Sequence, residues 1–179
     1  YVIGGRTRSE ETQAAAAAPI EAEGGEGAAH RTALAPLSAA QLEQWSGLRG
    51  WRNRSEPFDH WVAEGGESGG VRAAFATDRT APEVHGFVGP ITLLVELDSH
   101  HIHRVRLLRS VETPAYVRRL PAWLEGLAGR SVGEPLRLGE NVDAISGATV
   151  TSRAVVETLN RSVERALAQI PELRGGSLA

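Results

Sequence analysis

The 179-residue sequence contains no cysteine and no lysine, and all 19 of its basic residues are arginine. Without cysteine, the chain can form no disulfide, thiolate nucleophile, thiolate zinc site or cysteine-ligated iron–sulfur cluster. Without lysine, Schiff-base chemistry and a P-loop lysine are also excluded. No apolar run approaches the roughly 18 residues that a membrane-spanning helix needs.

A strong positive charge is also lacking, because the formal net charge is −3 at pH 7. This charge argues against nucleic acid as a partner. With 41% apolar and 23% charged residues, the chain can bury one ordinary core and carry an additional tail. The sequence begins at Tyr1 rather than at methionine, which is compatible with the removal of a signal or membrane-anchor segment.

The N-terminal part of the chain is poor in large apolar residues. An alanine run over residues 14–18 and a Gly/Glu/Ala stretch over 21–29 predict an extended or linker-like tail that a partner chain holds. Ser38 and Gln41 then form a capping-box pattern that begins a short helix. The sequence predicts four segments: the tail over residues 1–36, a capped helix and connector over 37–56, a folded domain over 57–171, and a C-terminal tail over 172–179.

Alternating and continuous apolar patterns predict four strands in the folded domain. They cover Phe58–Ala63, Val71–Thr77, Ile91–Leu97 and His101–Leu108. Thr113 and Pro114 resemble the N-cap and first residue of a helix. Apolar residues recur at helical spacing from about residue 148 to residue 169, which predicts a long C-terminal helix. The fold class is therefore α+β, an antiparallel sheet with helices packed on one side.

The segment from Asp143 to Ser152 (DAISGATVTS) carries the strongest chemical signal. It predicts a turn of small residues that leads into the N-terminus of the long helix, with hydroxyl groups crowded at the first turn. Backbone N–H groups at such a terminus attract phosphate. The alternative interpretation is a well-capped helix without a ligand, in which Asp143 or Ser146 is the cap.

The same ten residues closely resemble the flavinylation motif of the FMN-binding domain family. This family includes the periplasmic flavoprotein subunits of sodium-pumping NADH:quinone reductases and of Rnf-type complexes, and the nitrous-oxide-reductase regulators. In the family a dedicated transferase joins FMN, through its phosphate, to the last hydroxyl of the motif. The resemblance implies that Thr149 is the covalent acceptor, and that the remaining motif positions are Asp143, Ser146, Gly147 and Ala148.

Two further stretches resemble the same family, and with them the resemblance covers roughly residues 57–168. One is the segment from Gly86 to Ile91, and the other is Glu112–Thr113–Pro114. The resemblance implies that residues in both stretches contact the cofactor, namely Gly89, Pro90, Ile91, Glu112 and Thr113. The sequence departs from the family at Ala115, where glycine is common.

Other residue clusters are interpreted as structural. His100, His101 and His103 predict a polar, solvated hairpin rather than a metal site, and Arg118–Arg119 predict a solvated surface. The tryptophans are predicted core anchors; they are Trp45, Trp51, Trp61 and Trp123. No metal ligand is predicted. No catalytic residue is predicted either, because Ser146 lies in Ala-Ile-Ser-Gly-Ala rather than in the Gly-x-Ser-x-Gly pattern of a hydrolase nucleophile.

Two functions remain open from the sequence. The first is an electron-transfer flavoprotein that carries covalent FMN and relays electrons in or beside a membrane redox complex, on the periplasmic side. Such a chain is a component of an oxidoreductase complex rather than a stand-alone enzyme. The second is a structural or assembly subunit with the same fold, in which flavin is absent or incidental. The resemblance implies subunits of the membrane complex and the flavin transferase as partners.

Overall fold

The computed structural model describes residues 36–65, 69–86, 89–112 and 114–175. Their centre is a five-stranded antiparallel sheet in which the strands follow one another in chain order. The strands are β1 (Arg52–Arg54), β2 (His60–Gly65), β3 (Gly70–Ala76), β4 (Ile91–Leu97) and β5 (Ile102–Ser110). The predicted strands and the α+β class are confirmed, while the edge strand β1 is an addition. The predicted N-terminal tail falls almost entirely outside the described residues.

Five helices accompany the sheet in the described ranges. They are α1 (Ala39–Ser46), α2 (Pro114–Val117), α3 (Leu120–Glu125), α4 (Thr149–Gln169) and α5 (Pro171–Gly175). The long helix α4 presents buried residues such as Val155 and Leu159 to the main core, as its apolar spacing predicts. Leu173 of α5 also packs in this core, so helical structure continues into the segment predicted to be a tail.

The main core lies between α4 and one face of the sheet. Alternate residues of β4, such as Leu93 and Val95, point into it, and so does Phe75 of β3. Strand β4 is buried along its whole length because its other face is covered as well. This double coverage explains why apolar residues occur on both faces of β4 rather than at alternate positions only.

Helix α1 packs on the second face of the sheet, so helices cover both faces rather than the one side that the sequence predicted. The capping box is confirmed: the Ser38 hydroxyl accepts from Gln41 N at 3.2 Å, and the Gln41 side chain accepts from Ser38 N at 3.0 Å. Leu42 lies in this second core beside Trp51, while Trp45 and Trp61 pack against it half-buried. Trp123 packs against the main core, so the predicted anchoring role of the tryptophans is confirmed.

A charged cluster also lies on this second face. Glu96 of β4 is fully buried, and its carboxylate contacts Arg72 Nη1 of β3 at 2.8 Å and Arg104 Nε of β5 at 3.6 Å. Burial raises the pKa of Glu96, and the two arginines oppose that rise. The cluster therefore ties three strands together through one buried charge.

The topology brings the three sequence motifs to one end of the β4–β5 hairpin. Residues 89–90 lead into β4, Glu112 follows the end of β5, and Thr149 begins α4. Among the described residues, no helix is both long enough and apolar enough to cross a membrane.

Candidate functional site

The motif segment forms a tight turn before α4. Gly147 adopts φ +79°, a left-handed conformation that favours glycine, and a Cβ there would point into open space. Ala148 N donates to Ile145 O at 2.9 Å, which closes the turn. Trp123 Nε1 donates to Asp143 O at 2.7 Å and so fixes the entrance of the turn to α3.

The first turn of α4 has no side-chain cap in the described part of the chain. The N-cap residue is Ala148, which has no side-chain oxygen, so the alternative of Asp143 or Ser146 as cap is wrong. The first intrahelical donor is Ser152 N, bonded to Ala148 O at 2.9 Å. Backbone N–H groups before it have no intrahelical acceptor and remain available to an anion.

The hydroxyls of the motif divide into two buried and two exposed groups. Thr151 and Ser152 are buried: the first donates to Glu112 Oε2 at 3.1 Å, and the second donates to Ala148 O at 3.0 Å. Ser152 Oγ also accepts from Ile145 N at 2.9 Å. Thr149 and Ser146 are exposed to solvent. Of the helical hydroxyls, only that of Thr149 can therefore be reached by a ligand without unfolding the turn.

A cavity of about 370 Å³ opens beside this turn. Its lining comprises Ala115, Arg118, Arg119, Ile145, Ser146, Gly147 and Ala148. The predicted solvated role of Arg118 and Arg119 is thus incomplete, because both are exposed but also face the motif. Two guanidinium groups next to open N–H groups favour a phosphate-bearing ligand. Sequence reasoning missed this pair because nothing in a dipeptide of arginines indicates which surface it borders.

Glu112 connects the other predicted site segments. Its side chain is buried, and its Oε1 accepts from Gly89 N at 3.3 Å while Oε2 accepts from the Thr151 hydroxyl. Pro90 forms an isolated bridge with His85 beside it. Ile91 points into the main core, so its side chain stabilises the fold rather than facing the cavity.

Thr113 lies outside the described residues. Among the described residues, two large apolar side chains are strongly exposed, and both adjoin the motifs: Val111 precedes Glu112, and Val150 follows Thr149, each 51% exposed. Exposed apolar groups of this kind suit the apolar part of an amphipathic ligand.

The opposite end of the β4–β5 hairpin is a polar turn. Asp98 Oδ1 accepts from His100 N at 2.7 Å and from His101 N at 2.8 Å, and Asp98 Oδ2 accepts from His103 Nε2 at 2.7 Å. Burial raises the pKa of Asp98, but these hydrogen bonds outweigh burial and lower it to about 2. Within the described ranges, no cluster of three His, Asp or Glu side chains could hold a metal ion.

The meander sheet, the long helix and the basic cavity at its N-terminus define a small α+β domain that can hold an anionic ligand. Residues 86–164 match the family model of the FMN-binding domain. This match confirms the resemblance to that family for residues 86–164. No solved structure matches the chain.

Several curated proteins are similar to this chain, and those compared are all named as the same component of an ion-translocating oxidoreductase complex. The protein from Haemophilus influenzae is 36% identical over 50% of this chain and 48% of its own length. The protein from Cereibacter sphaeroides is 35% identical over 44% of this chain and 42% of its own length. The protein from Pseudomonas aeruginosa is 32% identical over 52% of this chain and 49% of its own length. The chain thus spans about half the length of the curated relatives that it matches.

Proposed function

We propose that this domain carries FMN as a covalent phosphoester of Thr149 and serves as an electron-transfer component of a membrane redox complex. One observation carries the covalent assignment: Thr149 is the exposed hydroxyl at the first residue of α4, whereas Thr151 and Ser152 are buried and hydrogen-bonded. The motif offers a transferase a single reachable helical hydroxyl, which agrees with the acceptor implied by the resemblance.

The surroundings of Thr149 fit the two halves of FMN. The phosphate would lie at the open first turn of α4, close to Arg118 and Arg119. Val111 and Val150 would contact the apolar isoalloxazine ring. Gly147 leaves space at the turn because it has no Cβ. Asp143, Ser146 and Ala148 shape this turn, and Gly89 and Pro90 lie at the adjoining loop.

Attachment forms one P–O bond and breaks another. The Thr149 oxygen bonds to the phosphorus of an activated flavin nucleotide, the hydroxyl proton is lost, and the activating group leaves. The protein gains the mass of FMN minus one water. The bond itself carries no electrons: FMN supplies the redox chemistry, while the chain orients it and prevents its loss.

The role in electron transfer is supported by the names of the similar proteins, which are components of an ion-translocating oxidoreductase complex. Membrane-bound redox subunits and a flavin transferase are the corresponding partners. The periplasmic side of the membrane is the proposed location, because the family resemblance implies attachment outside the cytoplasm. A chain with a permanently attached cofactor suits such a compartment, in which lost FMN would be diluted.

Thr149→Val tests this assignment when the chain is produced together with a flavin transferase. We expect complete loss of the covalent flavin by intact-mass analysis. Thr158→Val is the matched control, because it removes from the same helix a buried hydroxyl that has no hydrogen-bond partner among the described residues. It should retain full flavin. Covalent FMN that persists in Thr149→Val would overturn the assignment, and a wild-type chain without flavin would favour the structural-subunit alternative.

A further inference from the structure

Glu112 differs from the other predicted cofactor contacts because its carboxylate is turned toward the protein. The residue is 6% exposed, and both carboxylate oxygens have partners within the chain. Oε1 accepts from Gly89 N, which precedes β4, and Oε2 accepts from Thr151, two residues after the proposed acceptor. One side chain therefore joins the loop before β4 to the first turn of α4.

The glycines of the loop make this contact possible. A Cβ at Gly86 would lie 2.8 Å from the carboxyl carbon of Glu112, which is too close for any real side chain. A Cβ at Gly89 would lie 2.5 Å from Val111 Cγ2. The loop is closed by Gly86 N, which donates to Gly89 O at 2.7 Å. The absence of a Cβ at these glycines makes room for Glu112 and Val111.

We infer that Glu112 is a positioning residue for the attachment reaction: its carboxylate clamps the first turn of α4 to the loop before β4 and so holds the Thr149 hydroxyl in place. The effect of Glu112 on flavin attachment rests on the proposed function. The clamp itself consists of hydrogen bonds within the chain and does not require flavin. It gives Glu112 a role through Thr151 instead of a contact with the cofactor. Misplacement of a reacting hydroxyl by a small distance slows a group transfer strongly.

The test compares Glu112→Gln and Thr151→Val with Thr158→Val, the control that removes a hydroxyl elsewhere on α4. Amide hydrogen exchange of the flavin-free protein, measured by NMR, reports on the clamp directly. In Glu112→Gln we expect exchange at Gly89 and at Ser152 to rise about tenfold, and in Thr151→Val we expect the same rise at Ser152, since each variant loses a hydrogen bond to a charged group. Exchange at Leu94, in the middle of β4, should not change.

The second measurement is the yield of covalent flavin after a fixed time with the transferase. We expect the yield of covalent flavin in Glu112→Gln and in Thr151→Val to be about tenfold lower than in Thr158→Val, because each variant loses a hydrogen bond of the clamp. Unchanged exchange and unchanged yield in Thr151→Val would overturn the inference. A fall in yield without faster exchange would also overturn it, because Glu112 would then act by touching the flavin. If the wild-type chain accepts no flavin, the proposed function fails, whereas exchange still decides whether the clamp exists.

Discussion

The two ends of the β4–β5 hairpin each hold a buried glutamate, and they hold it in different ways. At the end distant from the motif, Glu96 is paired with Arg72 and Arg104 from the neighbouring strands. At the motif end, the partners described for Glu112 are a backbone N–H and the Thr151 hydroxyl. Seven residues of strand separate the ends by roughly 23 Å.

This difference indicates that the distant end mainly contributes to stability, whereas the motif end mainly serves the site. A buried carboxylate between arginines has a large cost if one cation is removed, so the distant end stabilises the sheet and its contact with α1. A carboxylate that accepts from a loop and a helix turn fixes the distance between two segments, which serves a site. Changes at the distant end should therefore lower stability and leave flavin attachment intact. Changes at the exposed arginines of the motif end should slow attachment and change stability little.

The largest effect on stability is expected from Arg72→Met at the distant end. Glu96 would lose its closest cation while it stays buried, and the free energy of unfolding should fall by about 3 kcal/mol. Urea denaturation followed by tryptophan fluorescence measures this change. Arg79→Met is the control, because it removes only ion pairs on the surface, with Asp59 and with Asp78, each at 3.9 Å. Equal effects of the two substitutions, or a loss of flavin in Arg72→Met, would break the distinction between the ends.

A smaller effect is expected from the double substitution Arg118→Gln and Arg119→Gln at the motif end. The cavity would lose two charges that favour phosphate, so attachment should slow by about tenfold, while stability should change little because both residues are exposed. Time-resolved intact-mass analysis provides the rate. Arg137→Gln removes an exposed arginine that does not line the cavity, and it should attach flavin at the wild-type rate. If the double variant attaches flavin as fast as this control, Arg118 and Arg119 do not contribute to the site.

The smallest effect concerns pH at the distant end. The pKa of Asp98 is about 2 in the folded chain and 3.8 ordinarily, so its ionised form stabilises the fold. This contribution is complete above about pH 4 and is lost as the pH falls from about 4 to about 2. Melting temperatures of the wild type and Asp98→Asn should differ near neutral pH and converge across this window. A constant difference down to pH 2 would show that Asp98 does not titrate in this way.

Elements with a regular apolar pattern could be predicted from the sequence. The segment Ile91–Leu97 has the pattern of a strand that is buried on both faces. The spacing of Val155, Leu159 and Val163 is that of one buried face of a helix. Strand β1 could not be predicted in this way, since its three polar residues gain their place by pairing with β2 at the sheet edge.

The candidate site was only partly predictable. The resemblance supplied Thr149 and its neighbours, because a motif is local in sequence. The arginines of the cavity and the partners of Glu112 depend on contacts between segments far apart in the chain, and Thr151 is 39 residues from Glu112. The alternative interpretation of a cap at Asp143 or Ser146 is wrong for a local reason. Helix α4 begins at Thr149, so its N-cap position is occupied by Ala148.

Peptide mapping of the chain from native membranes tests the central proposal most directly. Trypsin cleaves after Arg137 and Arg153, so one peptide contains Thr149 together with every other hydroxyl of the motif. The proposed function predicts that this peptide is yellow, heavier by FMN minus one water, and that fragmentation places the added mass on Thr149. An unmodified peptide, or FMN on a different residue, would contradict it.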